Sequence, residues 1–140
     1  MHILILNGPN LNRLGKREPN IYGNESISDV VTQLEAQFPQ CTFLSQHSNI
    51  EGELINYLQA AEENPEISGI VFNAAAYSHT SIALADCIKA LSKRVVLVHI
   101  SNIYDRETER HTDLLLASAY GCITGFGIKG YALGVQALLN

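Results

Sequence analysis

The sequence predicts an α/β fold built on a parallel sheet. Two observations carry that reading. Short apolar runs rich in β-branched residues recur five times, and patterns with helical spacing separate them. Strict alternation of the two supplies the crossover connections that parallel strands require, and such crossovers are right-handed.

The strand-like runs are His2–Leu6, Cys41–Ser45, Gly69–Phe72, Val95–Ile100 and Gly121–Thr124. Behind a Ser26-x-x-Asp29 start, Ile27, Val30, Val31, Leu34 and Phe38 fall on one helical face. Leu54, Ile55, Leu58 and Ala61 form the second such face, and Ile82, Ala85, Ile88 and Leu91 the third, with Thr80 or Ser81 as its cap. A less regular pattern around Thr112 to Ala119 gives a fourth helix, and Tyr131 to Leu139 gives the last, after Gly130. Five strands in this alternation suggest a flavodoxin-like sheet of order 2-1-3-4-5 with helices on both faces. No linker or repeat divides the 140 residues, so one domain spanning 1–140 is expected.

Composition narrows the function classes. Nine Lys and Arg against 14 Asp and Glu give a net charge of −5, the wrong sign for nucleic-acid binding. The apolar runs are far shorter than the roughly 18 residues of a membrane span. Met1 leads directly into a strand-like run with no basic region before it, so a cytoplasmic location is expected. At 16% charged residues the surface is sparsely charged, which points to subunits burying surface. Cys41, Cys87 and Cys122 are odd in number and lack Cys-x-x-Cys spacing, as reduced core thiols would.

In a sheet of this order the ligand crevice lies beyond the carboxyl ends of strands 1 and 3. The segment from Asn7 to Glu25 is much longer than an ordinary strand-to-helix loop and reads as functional or as a lid. It carries Arg13, Lys16 and Arg17, and the loop after strand 4 carries Arg106 and Arg110. Five of the nine basic residues of an acidic chain therefore sit in two loops at one edge, which favours a small anionic ligand over a solvated surface.

Strand 3 runs into Asn73 and then Tyr77-Ser78-His79, and strand 4 ends in His99-Ile100-Ser101-Asn102. One strand histidine is ordinarily a satisfied core group, but two at the ends of adjacent strands suggest acid–base chemistry. His79, His99 and His111 lack a short-range pairing for metal, so no metal is expected. Gly8 to Lys16 has the wrong spacing for a phosphate loop, Ser78 and Ser81 lack a nucleophile elbow, and no strand carries a lysine for a Schiff base. What remains is an acid–base site drawing on Tyr22, Arg17, His79, His99, amides and backbone donors. Tyr22 reads equally as a base, activated by a cation such as Arg17, or as an aromatic pinning its loop to the core.

Asn7-Gly-Pro-Asn-Leu-Asn12, Leu14-Gly-Lys-Arg17-Glu-Pro19 and Tyr22-Gly23 resemble the opening signature of the type II 3-dehydroquinate dehydratases. The likeness continues through Ser48-Asn49-x-Glu51-Gly52, Tyr77-Ser-His79-Thr-Ser with Asp86, Val98-His99-Ile-Ser101-Asn102, Arg106-Glu107, Arg110 and Gly125-Phe-Gly-Ile-Lys-Gly130-Tyr131. The resemblance implies dehydration of 3-dehydroquinate to 3-dehydroshikimate without cofactor, metal or Schiff base, chemistry shared by shikimate synthesis and quinate breakdown. It assigns Tyr22 as base, Arg17 as its activating cation, Asn12 as holder of an enolate-stabilising water and His99 as donor to the departing hydroxyl. Backbone amides at Ile100 and Ser101, with Asn73, would take the carboxylate. His79, Arg110 and a neighbouring subunit's Asp86 would hold the ring hydroxyls, within a homo-oligomer that is a dodecamer of trimers. The alternative is a diverged member that binds a small anion or serves as a non-catalytic subunit. A flavin or nucleotide binder is disfavoured by the missing phosphate loop.

The chain departs from that family's pattern at named positions. Ala74-Ala75 stands where Pro-Gly is usual, and Tyr104-Asp105 replaces a common His-Ala pair. Leu97 stands where a Glu usually precedes the strand 4 histidine by two residues. The usual carboxylate partner of His99 is therefore expected to be missing, and, where leaving-group protonation limits turnover, a Glu at position 97 is expected to raise it.

Overall fold

The computed structural model describes residues 1–16 and 18–139. Its strands are β1 (His2–Asn7), β2 (Thr42–His47), β3 (Ile67–Asn73), β4 (Val95–His99) and β5 (Gly121–Thr124). All pair in parallel, in the order β2-β1-β3-β4-β5. The expected flavodoxin-like order therefore holds, with its reversal between β1 and β3.

Helices α1 (Pro19–Tyr22), α2 (Ile27–Gln37), α3 (Glu51–Glu63), α4 (Ile82–Ala90) and α5 (Lys129–Leu139) connect or follow the strands. Ser26 caps α2 as read: its hydroxyl accepts from the Asp29 amide while the Asp29 carboxylate accepts from the Ser26 amide. The hydrogen bonds hold the Asp29 carboxyl below the ordinary carboxylate range. For α4 the cap is Ser81, whose hydroxyl accepts from the Leu84 amide at 2.9 Å.

Alternation along the strands divides the core in two. Ile3, Ile5, Val71, Val96 and Val98 face α2 and α5, whereas Leu4, Leu6, Ile70, Phe72 and Leu97 face α3 and α4. This two-sided burial explains why β1, β3 and β4 read as continuous apolar runs.

Several boundaries differ from the sequence reading: β1 runs one residue further, to Asn7, β3 spans Ile67–Asn73 rather than Gly69–Phe72, and α5 begins at Lys129 rather than Tyr131. Cys41 belongs to the turn after α2, its amide bonded to the Phe38 carbonyl, so β2 starts one residue later and runs on to His47. Strand β4 stops at His99, and the Ile100 carbonyl instead accepts from Gly127. The helix expected around Thr112 to Ala119 is absent. Only a 3-10 turn at Leu116–Ser118 forms there, because Leu114 donates to the Ser78 carbonyl and the Asp113 side chain takes the Leu115 amide. The segment is a strap laid across the ends of β3 and β4.

All three cysteines are free; Cys41 is buried and the other two are half-buried. Among the described residues no helix is long and apolar enough to cross a membrane.

Candidate active site

Three central strands end in polar side chains at one edge: Asn7 on β1, Asn73 on β3 and His99 on β4. All three are buried. Asn7 and Asn73 are register partners, joined through the fully buried Tyr131 of α5. The Tyr131 hydroxyl donates to Asn7 Oδ1 at 2.6 Å and accepts from Asn73 Nδ2 at 3.0 Å. Burial pushes the Tyr131 phenol far above its ordinary range, so the hydroxyl stays neutral and able to donate. Asn73 Oδ1 takes the Ala75 amide at 3.1 Å. Asn73 thus builds the floor of the site, with one amide proton left to offer.

Above that floor lies a cleft lined by Tyr22, Asn73, His79, His99, Ile100, Ser101 and Arg110, which brings together seven of the ten expected site residues. Arg17 lies outside the described residues. Asn12 is exposed on the 3-10 turn Leu11–Arg13; Asn10, just before that turn, is exposed too and lines the cleft. Asn10 adopts left-handed backbone at φ 70° and donates its amide to Asn49 Oδ1 at 2.8 Å. Asp86 is exposed on α4 and lies outside this chain's own cleft.

The close packing behind the cleft depends on Gly8. A Cβ there would stand 2.7 Å from the Ala74 carbonyl oxygen, which no side chain tolerates. The next residue, Ala75, takes a left-handed φ of 51°. The departure from Pro-Gly has therefore placed a methyl group on a backbone conformation that suits glycine.

Sequence reasoning did not single out Arg106 as a site residue. Its Nη1 donates to the Tyr22 hydroxyl at 2.8 Å and to Ser101 Oγ at 3.2 Å, with the guanidinium carbon 5.4 Å from the Tyr22 ring centroid. The clustering of basic residues was the available signal, yet Arg13 and Lys16 of that cluster are exposed and stand outside the cleft. Arg110 Nε donates to Glu107, and this hydrogen bond holds the Glu107 carboxyl below its ordinary range.

His99 has a carboxylate partner after all, correcting the expectation drawn from Leu97. Its Nε2 lies 2.7 Å from Asp113 Oδ2, with both side chains buried. Leu97, on the same strand face, is a core residue at 1% exposure. Nothing in sequence spacing links positions 99 and 113; the strap's path brings them together.

Cys122 joins these two groups in the one cluster of metal-ligand type found among the described residues, its ligand atoms within 4.8 Å of one another. The 2.7 Å separation is a proton-sharing distance, shorter than the roughly 3.3 Å between two ligands of a tetrahedral zinc ion. Burial, and then the Asp113 charge, push the Cys122 thiol up to about 11, which keeps it protonated. The cluster is a hydrogen-bonded acid–base pair beside a neutral thiol.

Known proteins resemble this chain over nearly its whole length. The family description "Dehydroquinase class II" matches residues 1–139. A 3-dehydroquinate dehydratase from an Exiguobacterium strain is 47% identical over 141 residues, covering 100% of this chain and 95% of that protein. One from Bacillus subtilis is 47% identical over 143 residues, covering 99% and 94%. The crystal structure of a type II dehydroquinase from Butyrivibrio crossotus superposes with a TM-score of 0.96 at 39% identity, covering 100% of this chain and 98% of the other. That from Propionibacterium acnes gives 0.90 at 38%, covering 98% and 94%. With the match running the full length of both sequence and fold, the chain belongs to the class II dehydroquinase family.

Proposed function

We propose that this chain dehydrates 3-dehydroquinate to 3-dehydroshikimate and water by way of an enolate, as one catalytic domain spanning residues 1–140. The observation that carries the reading is the 2.8 Å contact between Arg106 and the Tyr22 hydroxyl, in a cleft shared with two histidines. Tyr22, as phenolate, removes the proton next to the ketone; Arg106, together with Arg17, stabilises the charge it carries beforehand. Negative charge then moves to the ketone oxygen, where donors already in place lower the barrier because they need no reorganisation. Asn12 holds the water that stabilises the enolate, and Asn10, which lines the cleft, offers a further side-chain amide there. His99 delivers a proton to the departing hydroxyl, which leaves as water.

The substrate carboxylate lies against the backbone amides of Ile100 and Ser101, beside Asn73. Arg110 and His79 hold the ring hydroxyls with Asp86 of a neighbouring subunit, in a dodecamer built from trimers. The enzyme works in the cytoplasm.

Purified protein given 3-dehydroquinate should produce the ultraviolet absorbance of a conjugated enone, unaffected by chelator and without borohydride trapping of substrate on a lysine. Tyr22→Phe, which deletes only a hydroxyl, should abolish it. Folded protein that forms no enone, or a Tyr22→Phe variant of undiminished rate, overturns the reading.

A further inference from the structure

We infer that the strap Thr112–Leu115 sets the tautomers of both cleft histidines, and that Asp113 is the positioning residue through which His99 exchanges its proton at Nδ1. Four contacts carry this. A backbone carbonyl only accepts, so the 2.7 Å contact between His79 Nδ1 and the Thr112 carbonyl oxygen requires a proton on His79 Nδ1. Neutral His79 therefore presents Nε2 as an acceptor. One residue along, a carboxylate also only accepts, and Asp113 Oδ2 lies 2.7 Å from His99 Nε2. Neutral His99 thus holds its proton on Nε2 and carries its lone pair on Nδ1. The two imidazoles, stacked at 5.8 Å and 22°, are held in opposite tautomers by adjacent residues of one segment.

The strap is itself fastened. Asp113 Oδ1 accepts from the Leu115 amide at 2.9 Å, which fixes the rotation of the carboxylate, and the Leu114 amide donates to the Ser78 carbonyl at 2.7 Å. The Asp113 and His99 side chains are 2% and 5% exposed, so water does not compete for the shared proton. To donate to the leaving hydroxyl, His99 must first take up a proton at Nδ1 from solvent and act as the imidazolium; Asp113 on Nε2 fixes Nδ1 as the donor atom and compensates the positive charge. This assignment of function rests on the dehydratase reading, whereas the tautomers follow from the contacts alone.

Both parts can be tested on the full chain. In uniformly ¹⁵N-labelled protein at a pH where the imidazoles are neutral, long-range ¹H–¹⁵N correlations should show His99 protonated on Nε2 and His79 on Nδ1. His99 protonated on Nδ1 overturns the inference, and this measurement needs no variant and no turnover. Asp113→Asn should then lower kcat on the order of 100-fold, the lower end of what general acid catalysis supplies, with KM within about threefold of the parent. Exchange of the substrate proton with solvent should persist in that variant, because Tyr22 is untouched. A folded Asp113→Asn protein that keeps its kcat within about threefold refutes the positioning role. If the variant does not fold, the tautomers of the unaltered protein decide the matter. A parent without dehydratase activity refutes the proposed function and leaves the tautomer result standing on its own.

Discussion

Leu97→Glu is the perturbation on which sequence and structure disagree most sharply. A carboxylate two residues before the strand histidine should, from sequence alone, improve its action as an acid. The structure reverses the sign. Leu97 is 1% exposed within the core cluster that faces α3 and α4, and His99 Nε2 is already occupied by Asp113 at 2.7 Å. Replacing Leu97 forfeits about 2 kcal/mol of apolar burial. A buried carboxyl without a dedicated partner costs about 1–3 kcal/mol more, and it meets the Asp113 charge on the same side. The sum, about 3–5 kcal/mol, is a large share of the roughly 5–15 kcal/mol that holds a typical domain folded. Urea unfolding of parent and variant at one protomer concentration measures it directly: with a slope of about 2 kcal/mol per molar, the midpoint should fall by roughly 2 M. The same substitution made in an Asp113→Asn background should cost less than in the parent, since the competing charge is gone. A Leu97→Glu protein of parental stability and higher kcat would show that Asp113 does not hold His99, and the reasoning would fail.

Arg106→Gln should slow enone formation roughly ten- to a hundredfold, because the Tyr22 phenolate loses a cation; undiminished turnover removes Arg106 from the mechanism. At the strained Ala75, Gly should be accepted without loss of stability, while Val should lower it by about 1–2 kcal/mol in the same urea assay; equal midpoints for Gly and Val would contradict the left-handed backbone. The Glu62 carboxyl is held below its ordinary value near 4.5, chiefly by the Ser92 hydroxyl and also by the Ser92 amide. A depressed carboxyl stabilises the fold above the unfolded-state value and stops doing so as pH falls through the folded one. The stability gap between parent and Glu62→Gln should therefore be open near neutral pH and close on acidification below about pH 4.5; a gap constant across that range rules the linkage out.

The sheet was legible in the sequence because its physics is local. Burial on both faces demands unbroken apolar strands, as in Ile3 to Leu6, and crossover helices must hide one apolar stripe, as Val30 and Leu34 do. The Ser26–Asp29 capping box spans only four residues and was equally readable. Crevice and histidines followed from strand order, since β1, β3 and β4 must end side by side. Tertiary structure alone decided the pairings that cross the chain: Arg106 with Tyr22, Asp113 with His99, and Asn10 with Asn49. Each depends on a loop whose path is set by hydrogen bonds to distant backbone, such as Leu114 to Ser78 and Asn10 to Asn49, which leave no periodicity in the sequence. A carboxylate needs only to arrive within hydrogen-bonding distance of its histidine, and the chain can bring it there from 14 residues away as readily as from two.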